Sequence, residues 1–75
     1  MDIQFPVALR GYDRIAVDAL IARARDAIAI GSPAERATVT ADLHRGVPVV
    51  LRGYDRNAVD DAFERLAAAL APGIS

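Results

Sequence analysis

The sequence predicts a mainly α fold: three helices, with one short extended arm before the first helix and another before the third. Three observations predict it: an internal duplication, a capping signal at the start of each helix, and two apolar stripes at helical spacing. The duplication weighs most. Residues 6–18 read P-V-A-L-R-G-Y-D-R-I-A-V-D and residues 48–60 read P-V-V-L-R-G-Y-D-R-N-A-V-D, so 11 of 13 positions agree at a constant offset of 42. Chance does not produce that in 75 residues, and the chain reads as two copies of one structural unit.

Each copy begins extended. Pro6 fixes its own φ and drives Phe5 out of the helical region, so Val7, Ala8 and Leu9 continue as an arm. Gly11 interrupts it, which implies a positive φ or a close approach of two backbones. Asp13 is the natural N-cap of the helix that follows, its carboxylate accepting from the Ala16 amide. Tyr12 and Val17 then stand at the N′ and N4 positions of a hydrophobic staple, which assigns the tyrosine to packing rather than recognition. Gly53, Tyr54, Asp55 and Val59 repeat the same arrangement.

Behind the caps, Val17, Ile21, Ala24 and Ile28 step by 4, 3 and 4, and so do Val59, Phe63, Leu66 and Leu70. Such spacing puts each set on one helix face and matches a short coiled-coil seam. The first helix should stop near Gly31 and the last near Pro72-Gly73. Between the copies, Ser32, Pro33 and Glu35 make a capping-box start, and Gly46 makes an end, for a middle helix over about 33–45. His44 and Arg45 suit its negative end. Thr38, Val39 and Thr40 weaken it, and a bend or break is expected there.

The chain is therefore expected to be one small domain, residues 1–75, built of repeats at about 5–30 and 47–72 joined by the middle helix. The repeats would lie side by side around an internal pseudo-two-fold axis. The two arms can pair as a small two-stranded ribbon. Pairing within one chain and exchange between two chains both satisfy the pattern.

Composition narrows the function classes. Net charge is −1, and all nine Lys+Arg residues are Arg, so there is no general attraction for nucleic acid. An arm–helix–helix order loosely resembles ribbon–helix repressors, but an apolar arm offers no hydrogen-bonding code to base edges. The 53% apolar fraction and the lack of cysteine favour pairing over disulfides as the means of stabilising so short a chain. No apolar run reaches the length of a membrane span, and the first residues lack the features of a signal peptide, so a cytoplasmic location is the expectation.

No catalytic residues, cofactor or metal site is expected. There is no nucleophile elbow and no phosphate-binding glycine loop, and His44 has no accompanying ligand. Asp60 and Asp61 diverge by about 100° on a helix and form a solvated face rather than an acid/base pair. Asp18 and Asp60 favour the helix dipole or accept from an Arg of the neighbouring copy.

The string Phe5, Leu9-Arg10-Gly11-Tyr12-Asp13 and Val17-Asp18 resembles the N-terminal domain of the DivIVA family. So does Leu51-Arg52-Gly53-Tyr54-Asp55 with Val59-Asp60, preceded by Thr40-Ala41-Asp42-Leu43. Together the two matches cover roughly two thirds of the chain. That family comprises bacterial scaffolds of division septa and cell poles, with a parallel dimeric coiled coil preceded by crossed turns. The resemblance implies a non-catalytic oligomerisation or docking module near the division or growth machinery. Its partners would be itself and a further protein. Arg10 to Asp13 and Arg52 to Asp55 would form the turns. Val17, Ile21, Ile28, Val59, Phe63, Leu66 and Leu70 would form the interface.

In the family an apolar residue followed by Arg at the turn tip is implicated in membrane contact. Leu9-Arg10 and Leu51-Arg52 hold those positions here, with Leu where the family has an aromatic. The alternative function is thus peripheral contact with an anionic membrane on its inner face, at a pole or septum. The competing outcome is that each Leu packs inside and each Arg pairs with Asp13 or Asp18.

Overall fold

The computed structural model describes residues 5–71. The order is β1 (Val7–Tyr12), α1 (Arg14–Ile30), α2 (Pro33–Arg45), β2 (Val49–Tyr54) and α3 (Arg56–Leu70). This is the expected mainly helical architecture with a two-stranded ribbon. The caps expected from sequence form, with one difference between the copies. Asp55 accepts from the Ala58 amide at 3.0 Å, the expected position. Asp13 accepts instead from Ile15, one residue earlier, at 3.3 Å.

Ser32 caps α2 by accepting from the Glu35 amide at 3.2 Å. Gly46 ends that helix at φ 81°, its amide bonded to Asp42. No bend or break interrupts α2 at Thr38–Thr40. The Thr38 and Thr40 hydroxyls donate to the carbonyls of Ala34 and Arg36, four residues back. That bonding keeps β-branched hydroxyl residues compatible with a continuous helix. Helix α3 ends at Leu70 and is capped by Ala71; Pro72-Gly73, the expected stop, lies outside the described residues.

The ribbon differs from a simple pair of arms. Val7 lies opposite Tyr54, Ala8 opposite Gly53, Leu9 opposite Arg52, Gly11 opposite Val50 and Tyr12 opposite Val49. One number rises as the other falls, so these pairs are antiparallel. The ladders extend through Asp13 N–H to the Pro48 carbonyl (2.9 Å) and Asp55 N–H to the Pro6 carbonyl (2.7 Å). When the offset between the copies is applied, Val7–Tyr54 maps onto Tyr12–Val49 and Ala8–Gly53 onto Gly11–Val50, a local two-fold that only Leu9–Arg52 does not follow.

Gly53, however, also touches the first copy a second time. A Cβ placed on it would lie 2.8 Å from the Gly11 carbonyl carbon. In a straight strand Ala8 and Gly11 are about 10 Å apart, too far for one residue to neighbour both. Each arm therefore folds back at its Leu-Arg pair. Arg10, at φ 59°, is the only non-glycine residue with positive φ among those described. Gly11 does not interrupt the strand; of the two readings its glycine left open, the close approach is the one that holds, and the positive φ lies at Arg10. What requires glycine is the close approach: Cβ atoms on Gly11 and Gly53 would overlap the backbone of the opposite copy.

The result is a crossed pair of turns. The outgoing leg of each copy pairs with the returning leg of the other, and the two returning legs meet at Tyr12 and Tyr54, a bridge of parallel sense. Because the returning legs lie adjacent and point the same way, α1 and α3 leave side by side in the same direction. Their stripes then close on each other. Val17 and Val59 reach 0% exposure, Ile21, Phe63 and Leu70 are buried, and Ile28 and Leu66 are half-buried at the edge. Fully burying each such side chain contributes roughly 1.5–3 kcal/mol.

Helix α2 packs across α1 and α3. It inserts Val39 and Leu43, which with Leu20, Ala24 and Ala27 complete the core. An ion pair from Arg23 to Asp42 at 2.8 Å ties α1 to α2. The Arg36 guanidinium donates to the Ile28 carbonyl at 2.8 Å near the turn between those helices.

Substituting Gly11→Ala or Gly53→Ala should cost about 3 kcal/mol or more, because the new methyl group meets backbone that cannot withdraw without uncrossing the turns. Gly46→Ala, where only the backbone conformation resists and no atom lies within 4 Å, should cost about 1–3 kcal/mol. Urea midpoints of the three variants measure the difference.

Candidate functional site

The crossed-turn end concentrates the unusual chemistry of this chain. Two reciprocal clasps hold it. The Tyr12 hydroxyl donates to Asp60 Oδ1 at 2.7 Å, and the Tyr54 hydroxyl donates to Asp18 at 3.0 and 3.2 Å. In each case a tyrosine of one copy bonds the carboxylate that closes the motif of the other copy. The staple assignment thus covers only half of what the tyrosines do. Their rings are half-buried beside the core, and their hydroxyls reach across the pseudo-two-fold. Asp18 and Asp60 accept from tyrosine, and among the described residues no ion pair from an Arg of the neighbouring copy is found.

Asp60 and Asp61 diverge and both are exposed; Asp60 accepts from Tyr12, and Asp61 pairs with Arg65 at 3.1 Å. Phe5 stacks at a tilt on Tyr54, with ring centroids 5.1 Å apart. Val47, which holds the position of Phe5 in the second copy, packs against the core with less area.

These bonds alter tyrosine ionisation. The hydrogen bond to Asp60, aided by desolvation and the carboxylate charge, raises Tyr12 above the ordinary 10.0. For Tyr54 desolvation is the first cause and the hydrogen bond to Asp18 the second.

Above the clasps lie the tips. Leu9 is 71% exposed and Leu51 77%. Val7, Val49 and Ile15 are exposed at the same end. Arg10 and Arg52 stand beside the two leucines, and no ion pair to either is found among the described residues. The inward-packed leucines and the Arg–Asp pairs with Asp13 or Asp18 are therefore not what the structure contains. Arg14 and Arg56, exposed at the first positions of α1 and α3, add to the basic rim. Asp13 and Asp55 are occupied as caps.

The remaining sequence candidates lie elsewhere. His44 is exposed in the last turn of α2 beside Arg45. Among the described residues no group of three or more His, Cys, Asp or Glu side chains could hold a metal ion. No helix among them is long and apolar enough to cross a membrane. Sequence reasoning missed Leu20, Ala27, Val39 and Leu43 as core residues. A second stripe, Leu20-Ala24-Ala27, stepping by 4 and 3, was the signal for the first two.

Comparison of the chain with protein-family models, curated proteins and solved structures gave no match.

The clasp chemistry gives a pH dependence with a defined sign. A tyrosine pKa raised on folding stabilises the protonated form, so the contribution is complete below the unfolded value near 10 and lost as pH rises through the folded value. Tyr12→Phe and Tyr54→Phe should each cost about 0.5–1 kcal/mol at neutral pH, the low end for hydrogen bonds because both pairs are solvent-exposed. The double variant should lose the part of the alkaline destabilisation that the wild type shows above pH ~10. Denaturation midpoints across pH 7 to ~11 measure both effects.

Proposed function

We propose that this chain is a non-catalytic docking module, similar in design to the N-terminal domain of DivIVA-type scaffolds, with the crossed-turn end as its docking surface. The observation that carries this reading is the pair of Leu-Arg tips: two leucines projecting into solvent on a backbone held rigid by the Gly11–Gly53 contact. A monomeric fold has no internal use for leucines in such positions. The motif Arg-Gly-Tyr-Asp with its following Asp is self-complementary, since Tyr12 needs an Asp60 and Tyr54 needs an Asp18. A chain carrying two copies makes that pair alone, and its tips are left for a different partner.

A lipid surface is the second reading, and one feature favours it. At both tips an apolar side chain sits next to a guanidinium, so leucine can enter the headgroup boundary while arginine pairs with phosphate. The expected strength is modest. Each leucine contributes about 1.5–3 kcal/mol when buried, and each arginine about 1 kcal/mol near an anionic leaflet. That total is comparable with a single acyl chain, which gives marginal and reversible attachment. Such a module would act where several copies are gathered, or at the inner face of the membrane at a pole or septum. A protein partner at the same surface would use the leucines as anchors and the arginines as the polar rim.

Co-sedimentation with anionic phospholipid vesicles separates the two readings. Wild-type protein should pellet with vesicles at low salt and be released near 1 M salt, where screening acts within about 3 Å. The double variant Leu9→Glu/Leu51→Glu should stay in the supernatant with its melting temperature unchanged, because both leucines are exposed. No pelleting at low salt removes the lipid reading and leaves the protein-docking one.

A further inference from the structure

We infer that the two outgoing legs of the ribbon are assembly edges, each of which pairs with an outgoing leg of a second copy of this chain. The inference goes beyond the tips, because it rests on main-chain groups and not on what the exposed leucines meet.

The order of the legs decides which strands are edges. Each outgoing leg pairs inward with the returning leg of the other copy, and the two returning legs meet at Tyr12 and Tyr54. The outgoing legs, residues 7–9 and 49–51, are therefore outermost. In an antiparallel ladder, residues alternate between pairs that exchange hydrogen bonds and pairs that do not. The Pro6 carbonyl accepts from Asp55 and the Pro48 carbonyl from Asp13, which sets the phase. Ala8 then bonds inward to Gly53, while the N–H and C=O groups of Val7 and Leu9 point away from the ribbon. Val49 and Leu51 hold the same positions in the second motif. Among the described residues no hydrogen bond reaches these outward groups. Val7 is 57% exposed and Val49 51%, so no other element stands over either edge.

The edge is complementary to itself. A two-fold axis at Ala8 sets Val7 against Leu9 of the second copy, and Leu9 against its Val7. Every outward N–H then meets an outward C=O, and the existing sheet continues across the contact. Val7 and Leu9 project on one side of the leg, so each gains an apolar neighbour across the strands. The two Arg10 residues end roughly 13 Å apart along the strands, four steps of about 3.3 Å, which exceeds the screening length of about 8 Å. A foreign strand could meet the same main-chain groups, but this chain itself supplies the register and the apolar neighbours.

The helices do not obstruct the pairing. An outgoing leg runs opposite to the returning leg and to the helix behind it, so antiparallel pairing inverts the second copy and sends its helices the other way. Each chain has an edge on both sides of the ribbon. Pairing at one leaves the other open, and the assembly continues as a row that does not close. Pro6, Pro48 and the bends at the Leu-Arg pairs limit each contact to three residues, which keeps it weak and reversible.

Sedimentation equilibrium at up to about 1 mM, the range of weak and small interfaces, tests this. The wild-type mass should rise with concentration past two copies without a plateau. Val7→Lys or Val49→Lys, each placing a charge on one edge, should stop at two copies, and the double variant should stay at one, all with the melting temperature of the dilute wild type. Amide exchange at Val7 and Leu9 should slow on concentrating the wild type, while that of Ala8, already bonded within the ribbon, should not change. A wild type that stays at one copy would overturn the proposal, as would a plateau at two. Assembly that persists in the double variant, or that leaves the Val7 and Leu9 amides as fast as before, would place the contact elsewhere and overturn it equally.

Discussion

The structure depends on one contact between two backbones. Gly11 and Gly53 lie so close that neither can carry a side chain, and that proximity lets the two bent arms cross. The crossing pairs each outgoing leg with the opposite returning leg and brings the two returning legs together. The direction of α1 and α3 then follows, because both helices start from adjacent strands pointing the same way. Burial of Val17 against Val59 is thus a consequence of the turn, and the helix stripes alone would permit an antiparallel arrangement equally well.

The duplicated motif makes sense in these terms. Its glycine permits the crossing, its aspartate caps the helix, and its tyrosine reaches the carboxylate that ends the opposite copy. The aspartate acts within its own copy, but the glycine and the tyrosine work only against the opposite one. The unit is built to meet another like it, and covalent linkage through α2 supplies that other at high effective concentration. The linkage also breaks the symmetry. α2 covers only one side of the helix pair, Asp13 and Asp55 cap through different amides, and only the first tip has its arginine at positive φ. Two copies of one motif therefore share a nearly symmetric end, while the helices behind them, which differ at most positions, present different lateral faces.

Much of this was legible in the residues because it is local. Ser32, Pro33, Glu35 and Gly46 fix α2 to within a residue through caps that act over three or four positions. The stripes of α1 and α3 follow from helical periodicity in the same way. What stayed hidden is long-range. Tyr12 lies 48 residues from Asp60, and no spacing rule relates a hydroxyl to a carboxylate across a pseudo-two-fold. The fold-back at Leu9-Arg10 was hidden for another reason: arginine rarely adopts positive φ, so the sequence offered that conformation only at Gly11, whose role is the close approach instead. The continuity of α2 through Thr38–Thr40 reflects hydroxyl bonding that propensity does not include. At the tips both outcomes were open from sequence. Exposure of Leu9 and Leu51 follows once the arms bend, because a bend places its apex farthest from the helices.

The most direct test is the proximity of Gly11 and Gly53 within one chain. An NMR sample mixing labelled and unlabelled protein separates contacts inside a molecule from contacts between molecules. The crossed-turn account predicts a strong Hα–Hα or Hα–amide Overhauser effect between residues 11–12 and 53–54 in the labelled chain, with no intermolecular counterpart. A cross-peak seen only between chains would make the clasp an exchanged dimer, and its absence in both experiments would contradict the crossing itself.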